Sequence, residues 1–199
     1  MDEKIINNIA ELNDKRKKSE IVIQSVKELK LVKNSIWQYL ISIIISIIIS
    51  SFVAFGTNTV NISKEILEIL LQTELAFAAM ILGSYAVFQA LLQGKILVEL
   101  IKTKNNILKE SNQTFLNLMI LYIIGIVISI VTSIFMKIMN DNFYIVSIEF
   151  SNVLAFMLIS LYLFFNFMLF LENINFVINL YRMINVHNIY KTFEELEKK

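Results

Sequence analysis

Four long apolar runs, at residues 36–56, 75–93, 114–136 and 153–172, leave this chain few ways to fold. A helix of about 20 residues is roughly 30 Å long, which matches the hydrocarbon thickness of a bilayer. Only 18% of the 199 residues are charged while 56% are hydrophobic, and a soluble domain carries about a quarter charged residues. The runs and the composition together predict an all-α integral membrane protein with four transmembrane helices.

The first run poses the choice between helix and strand most sharply. It contains "SIIISIIIS" at residues 42–50, and isoleucine favours strands. Lipid reverses that preference, because an isolated strand leaves its backbone groups unsatisfied there while a helix satisfies its own. The runs also lack the alternation of a transmembrane barrel strand. A helix is therefore expected, with Ser42, Ser46 and Ser50 on one face. The charged stretch ahead of Ile36 is too long for a signal-peptide n-region, so this run is expected to stay in the membrane.

Sixteen of the 18 lysines and arginines lie in segments 1–35, 94–113 and 173–199, leaving only Lys64 and Lys137 for segments 57–74 and 137–152. The positive-inside rule then places both termini in the cytoplasm. Segment 57–74 reads as an outer loop with an interfacial helix, part of a helical pattern beginning near Ser63, and 137–152 as a second outer loop. Amphipathic cytoplasmic helices are expected at both ends. Ile5, Ile9 and Leu12 form one face of the first, and Val186, Ile189, Phe193 and Leu196 one face of the tail. The vocabulary rich in Ile, Asn and Lys points to an AT-rich bacterial genome and hence to the bacterial cytoplasmic membrane.

Apolar side chains gain little by leaving lipid for one another, so small residues recurring on one face mark where membrane helices meet. Three runs carry such a stripe: Ser42, Ser46 and Ser50; Ala79, Gly83, Ala86 and Ala90; and Gly125, Ser129 and Ser133. Each suits packing within one chain or contact between copies, and three stripes on four helices point to a homo-oligomer. The fourth run, bulky with phenylalanine, is expected either at the rim against lipid or filling space against the small-residue face of the second run.

Polar residues at membrane depth are few, and each is a candidate for function. Glu74 sits at the outer end of the second run. It reads as a water-facing interfacial residue or, around an oligomer axis, as a cation-attracting ring. Gln89 and Gln93 lie one turn apart, and Asn166 is the amide deepest in the fourth run. Glu172, Asn175, Asn179 and Arg182 step down one face of the tail, and Lys15, Arg16, Lys17 and Lys18 form a basic run suited to anionic lipid or to a partner. No charge falls near the middle of a run, which weighs against an ion-coupled transporter.

Without cysteine and with a single histidine, His187, thiol chemistry and a histidine-based metal site are excluded. No phosphate loop, nucleophile elbow or zinc motif appears, so neither catalysis nor a cofactor is expected, and nucleic-acid binding would need a broader basic surface. The expected partners are the lipid bilayer, further copies of the chain and a cytoplasmic protein. The sequence thus points to a small non-enzymatic membrane component that oligomerises and couples an envelope event to a cytoplasmic partner, as sensor, scaffold or gated pore. Four-span subunits of bacterial phage defence have this build, an analogy of architecture alone. The alternatives are an immunity or accessory protein that binds a membrane-active toxin or a larger membrane complex and, less favoured, a small oligomeric transporter.

Overall fold

The computed structural model of the protein describes residues 17–29, 36–92, 107–140 and 145–197. Among these the secondary structure is five helices, with no strand: α1 (Lys18–Leu29), α2 (Ile36–Ala54), α3 (Thr59–Leu91), α4 (Ile107–Ile138) and α5 (Ile148–Glu197). The last four are long and apolar enough to cross a membrane. Only 22–28% of the most apolar stretch of each is buried within the chain. That leaves most of the apolar side chains for lipid, as expected of a multi-pass membrane protein. Ile5, Ile9, Leu12, Lys15, Arg16 and Gln93 lie outside the described residues.

The helix ends follow local chemistry. Lys17 precedes α1, and its backbone N–H donates to the Glu20 carboxylate at 3.1 Å, half of a capping box. Ser147 precedes α5 and accepts from the Phe150 N–H at 3.2 Å, the usual N-cap bond to the third helical residue. Between α2 and α3 the chain turns within four residues, 55–58, where Asn58 takes a left-handed φ of 66°, a conformation that asparagine tolerates better than most. A Cβ on Gly56 would sit 2.6 Å from the Phe52 carbonyl oxygen, so the turn requires glycine there. The hydropathy pattern sets the start of the second helix near Ser63; Asn58 and the turn start it at Thr59.

The chain divides into two compact units. The described part of one comprises residues 17–28, 79–92, 107–120 and 174–197. Its core is aromatic: Phe115 stacks on Phe88 at 5.3 Å and meets Tyr85 and Phe176 edge-on at 5.2 and 4.9 Å. Ser25 and Asn117 are buried there and hydrogen-bonded at 3.0 Å.

The other unit's described part comprises residues 36–78, 121–140 and 145–173. Leu121, Tyr122, Leu163, Met168 and Leu169 are buried in it, and Phe77 packs on Tyr122 and Phe170 at 6.1 and 5.3 Å. Helix α2 is turned so that Ser42, Ser46 and Ser50 are buried while Ile43, Ile44, Ile47 and Ile48 are exposed. In lipid this inversion is the stable arrangement: isoleucine loses nothing by facing acyl chains, and small residues let helices approach. Ser46 donates to the Ser42 carbonyl and Ser50 to the Ser46 carbonyl, both at 2.6 Å, so two hydroxyls are satisfied by their own helix.

Candidate functional site: a buried carboxyl among hydroxyls and amides

Glu74 lies on α3, fifteen residues past Thr59, and is fully buried in the second unit. The polar groups of α4 and α5 that surround it are placed by heptad-like spacing. On α4, Ser129 and Gly125 are one turn apart and Tyr122 follows three residues earlier. On α5, Tyr162, Asn166, Leu169 and Asn173 step by four, three and four. Each series therefore lies on one helix face.

The Ser129 hydroxyl is the hub. It lies 2.6 Å from Glu74 Oε2 and 2.9 Å from the Gly125 carbonyl oxygen, and it shares a hydrogen bond with the Tyr162 hydroxyl. The Asn166 side chain reaches the same carboxyl, while its amide nitrogen donates to the Tyr162 carbonyl at 3.2 Å. Glu74 Oε1 and Asn166 Oδ1 are both buried without a hydrogen-bond partner. Gly125 makes the arrangement possible, because a Cβ there would lie 2.8 Å from Glu74 Oε1. A turn further along the same two faces, Asn173 donates to the Tyr122 hydroxyl, which donates in turn to the Leu169 carbonyl at 3.3 Å. Asn173 Oδ1 is a third buried acceptor left without a partner.

These contacts correct two expectations. Glu74 does not face water: its relative exposure is 0%. Nor does it read as an outer-end residue, since it packs on Gly125, the midpoint of run 114–136, and on the Ser129–Tyr162 pair, with Tyr162 at the middle of run 153–172. A hydropathy window ends at the charged residue it meets, so Glu74 itself set the apparent edge of the second run. An ionisable group does lie at the depth of the neighbouring runs' centres, and the argument against ion coupling no longer holds.

The remaining predicted residues separate. Ser42, Ser46, Ser50, Ser129 and Asn166 are buried, as is Gly125; Ser133 is half-buried. Ala79, Gly83, Ala86 and Ala90 are exposed, and a Cβ on Gly83 would meet nothing within 4 Å. Gln89, also exposed, donates to Asn112 at 3.3 Å. Lys17, Lys18, Asn179 and Arg182 are exposed, and Glu172 and Asn175 half-buried. The sequence reading missed Tyr122, Tyr162 and Asn173. Their signal was present, as polar tips recurring every three or four residues through otherwise apolar runs.

Comparison with protein-family models, with curated proteins and with solved structures finds no match for this chain.

Proposed function

We propose that the protein is a non-enzymatic component of the bacterial cytoplasmic membrane, both termini inside, that assembles with further copies and couples an envelope event to a cytoplasmic protein. The observation that carries this reading is the length and surface of α5. Its 50 residues make about 75 Å of helix, more than twice the roughly 30 Å of hydrocarbon that a bilayer offers. Far beyond run 153–172 it still exposes Ile189, Phe193 and Leu196, spaced i, i+4 and i+7, the anchor pattern of a helix that docks in an apolar groove. The charge distribution supports the orientation, since Arg182 and Lys191 accompany this stretch. Bacterial phage defence is one setting for such a coupling component, by architecture alone.

The chain has no native cysteine, which makes the test direct. A cysteine placed at Lys191 should react with an impermeant maleimide only when the cytoplasmic face is opened. Ile189→Asp with Phe193→Asp should abolish crosslinking of this tail to a cytoplasmic protein in cells while leaving insertion and unfolding temperature unchanged. Labelling of Lys191→Cys from outside intact cells would end the proposal.

A second reading, an immunity or accessory protein, is favoured by one feature of the second unit. A groove of about 350 Å³ opens between α2 and α5, lined by Ile43, Ile47, Phe156 and Leu161 with Ser46 and Ser160. It lies on membrane-spanning surface, where another protein's apolar helix fits better than a soluble ligand.

A further inference from the structure

The cluster around Glu74 does more than packing requires. A minimal helix bundle needs no carboxyl among its centres, and an ionisable group there is costly enough to mark function by default. The unsatisfied atoms show what the cluster lacks. Glu74 Oε1 and Asn166 Oδ1 are acceptors, both on fully buried residues and both without a donor. A ligand that completes the site must supply donor hydrogens or positive charge.

Counting hydrogens narrows the choice. Ser129 has one hydroxyl hydrogen but faces three oxygens, those of Glu74, Gly125 and Tyr162. Tyr162 supplies one more hydrogen. If Glu74 is a carboxylate, a net charge stays buried with Oε1 still orphaned, even with the Asn166 side chain turned to the carboxyl. One added proton on the carboxyl removes the charge and converts an acceptor into a donor. A metal ion fits less well. It would sit about 2.3–2.6 Å from each oxygen ligand, so a shared ion would have to take the place of the Ser129–Glu74 hydrogen bond. Here Glu74 Oε2 and Ser129 Oγ are only 2.6 Å from each other. Gly125 closes the remaining side, with its Cβ position 2.8 Å from Oε1.

We infer that Glu74, Ser129, Tyr162 and Asn166 form a binding site for a single exchangeable proton, carried on the Glu74 carboxyl within the membrane-spanning part of the chain. Ser129, Tyr162 and Asn166 hold the carboxyl in place. The ionisable groups facing Glu74 among the described residues are the phenols of Tyr122 on α4 and Tyr162 on α5. Among the described residues no cation faces it to fix the carboxylate. Tyr122 and Asn173 extend the hydrogen-bonding groups along the same two faces. The inference stands on residues separate from the α5 tail and survives the failure of the coupling proposal.

A hydrophobic carbodiimide tests it, because the reagent reacts with a carboxylic acid in an apolar site and not with its carboxylate. The full-length protein is labelled in membranes between about pH 5 and pH 10, and the modified residue is located by peptide mass. The expected result is one adduct, on Glu74, absent in Glu74→Gln, with a rate falling about tenfold per pH unit above its midpoint. The fall should reverse when the pH is returned, and Asn166→Leu should shift the midpoint while the protein still inserts and unfolds cooperatively. Replacing choline with sodium at fixed pH should change nothing. Protection by sodium would overturn the proton assignment in favour of a metal ion. A rate independent of pH, or no adduct on Glu74 at any pH, would show that no exchangeable proton resides there.

Discussion

The serines of α2 and the Ala79, Gly83, Ala86, Ala90 series of α3 carry one sequence signature, small side chains three or four residues apart in an apolar run. Their surroundings are opposite. Ser42, Ser46 and Ser50 are 0, 1 and 0% exposed within the second unit, while the α3 series lies on the surface of the first. A stripe of small residues thus records that a helix can be approached closely, not by what. In α2 the approach is made by the chain itself, and two of the three hydroxyls are already bonded to their own helix. In α3 a Cβ on Gly83 would meet nothing within 4 Å among the described residues.

The contrast predicts the largest effect on α2. Ser50→Leu inserts a branched side chain at a fully buried position, and overpacking of this kind costs about 1–3 kcal/mol. Ile44→Leu, on the exposed face of the same helix, should stay within about 0.5 kcal/mol. Denaturant unfolding in detergent measures both, and equal effects would mean that the serine face is not packed as described.

The Gly125, Ser129, Ser133 stripe of α4 supplies a sharper version of the comparison. Gly125→Ala gains up to about 1 kcal/mol of helix propensity but drives a Cβ to 2.8 Å from Glu74 Oε1. The carboxyl must then leave Ser129, and breaking a buried hydrogen bond of a polar cluster costs about 1–3 kcal/mol. A net loss of about 1 kcal/mol is expected. Glu74→Ala removes the obstruction, so the double variant should be more stable than the sum of the two single effects. Strict additivity would show that Gly125 and Glu74 do not touch.

Chain length and hydropathy made four helices legible, because crossing a bilayer is a bulk requirement that an 18-residue average captures. The depth of Glu74 was not legible by the same method: the average falls at the residue in question, and only contacts with Gly125, Ser129 and Tyr162 show its level. Tyr122 and Tyr162 were hidden for a related reason. Their rings read as apolar bulk in an aromatic-rich run, and the hydroxyl at the tip matters only once a neighbour is in place. The burial of α2's serines depended on tertiary partners, which periodicity cannot name.

The smallest effect comes from the same substitution on the exposed stripe. Gly83→Ala brings the helix-propensity gain of up to about 1 kcal/mol with no atom in its way, so the isolated chain in dilute detergent should unfold slightly later than the parent. Gly125→Ala and Gly83→Ala then differ in sign although the written change is identical. In vesicles the expectation for Gly83→Ala is different. If copies assemble through the α3 face, the added methyl holds two backbones apart where a small residue let them meet. Self-association measured by energy transfer between labelled copies should weaken by about 1 kcal/mol while the single chain grows more stable. A chain that is stabilised with association unchanged would assign the stripe to lipid and remove it from the assembly. The serines of α2 and the small residues of α3 would then differ only in whether the neighbour is protein or acyl chain.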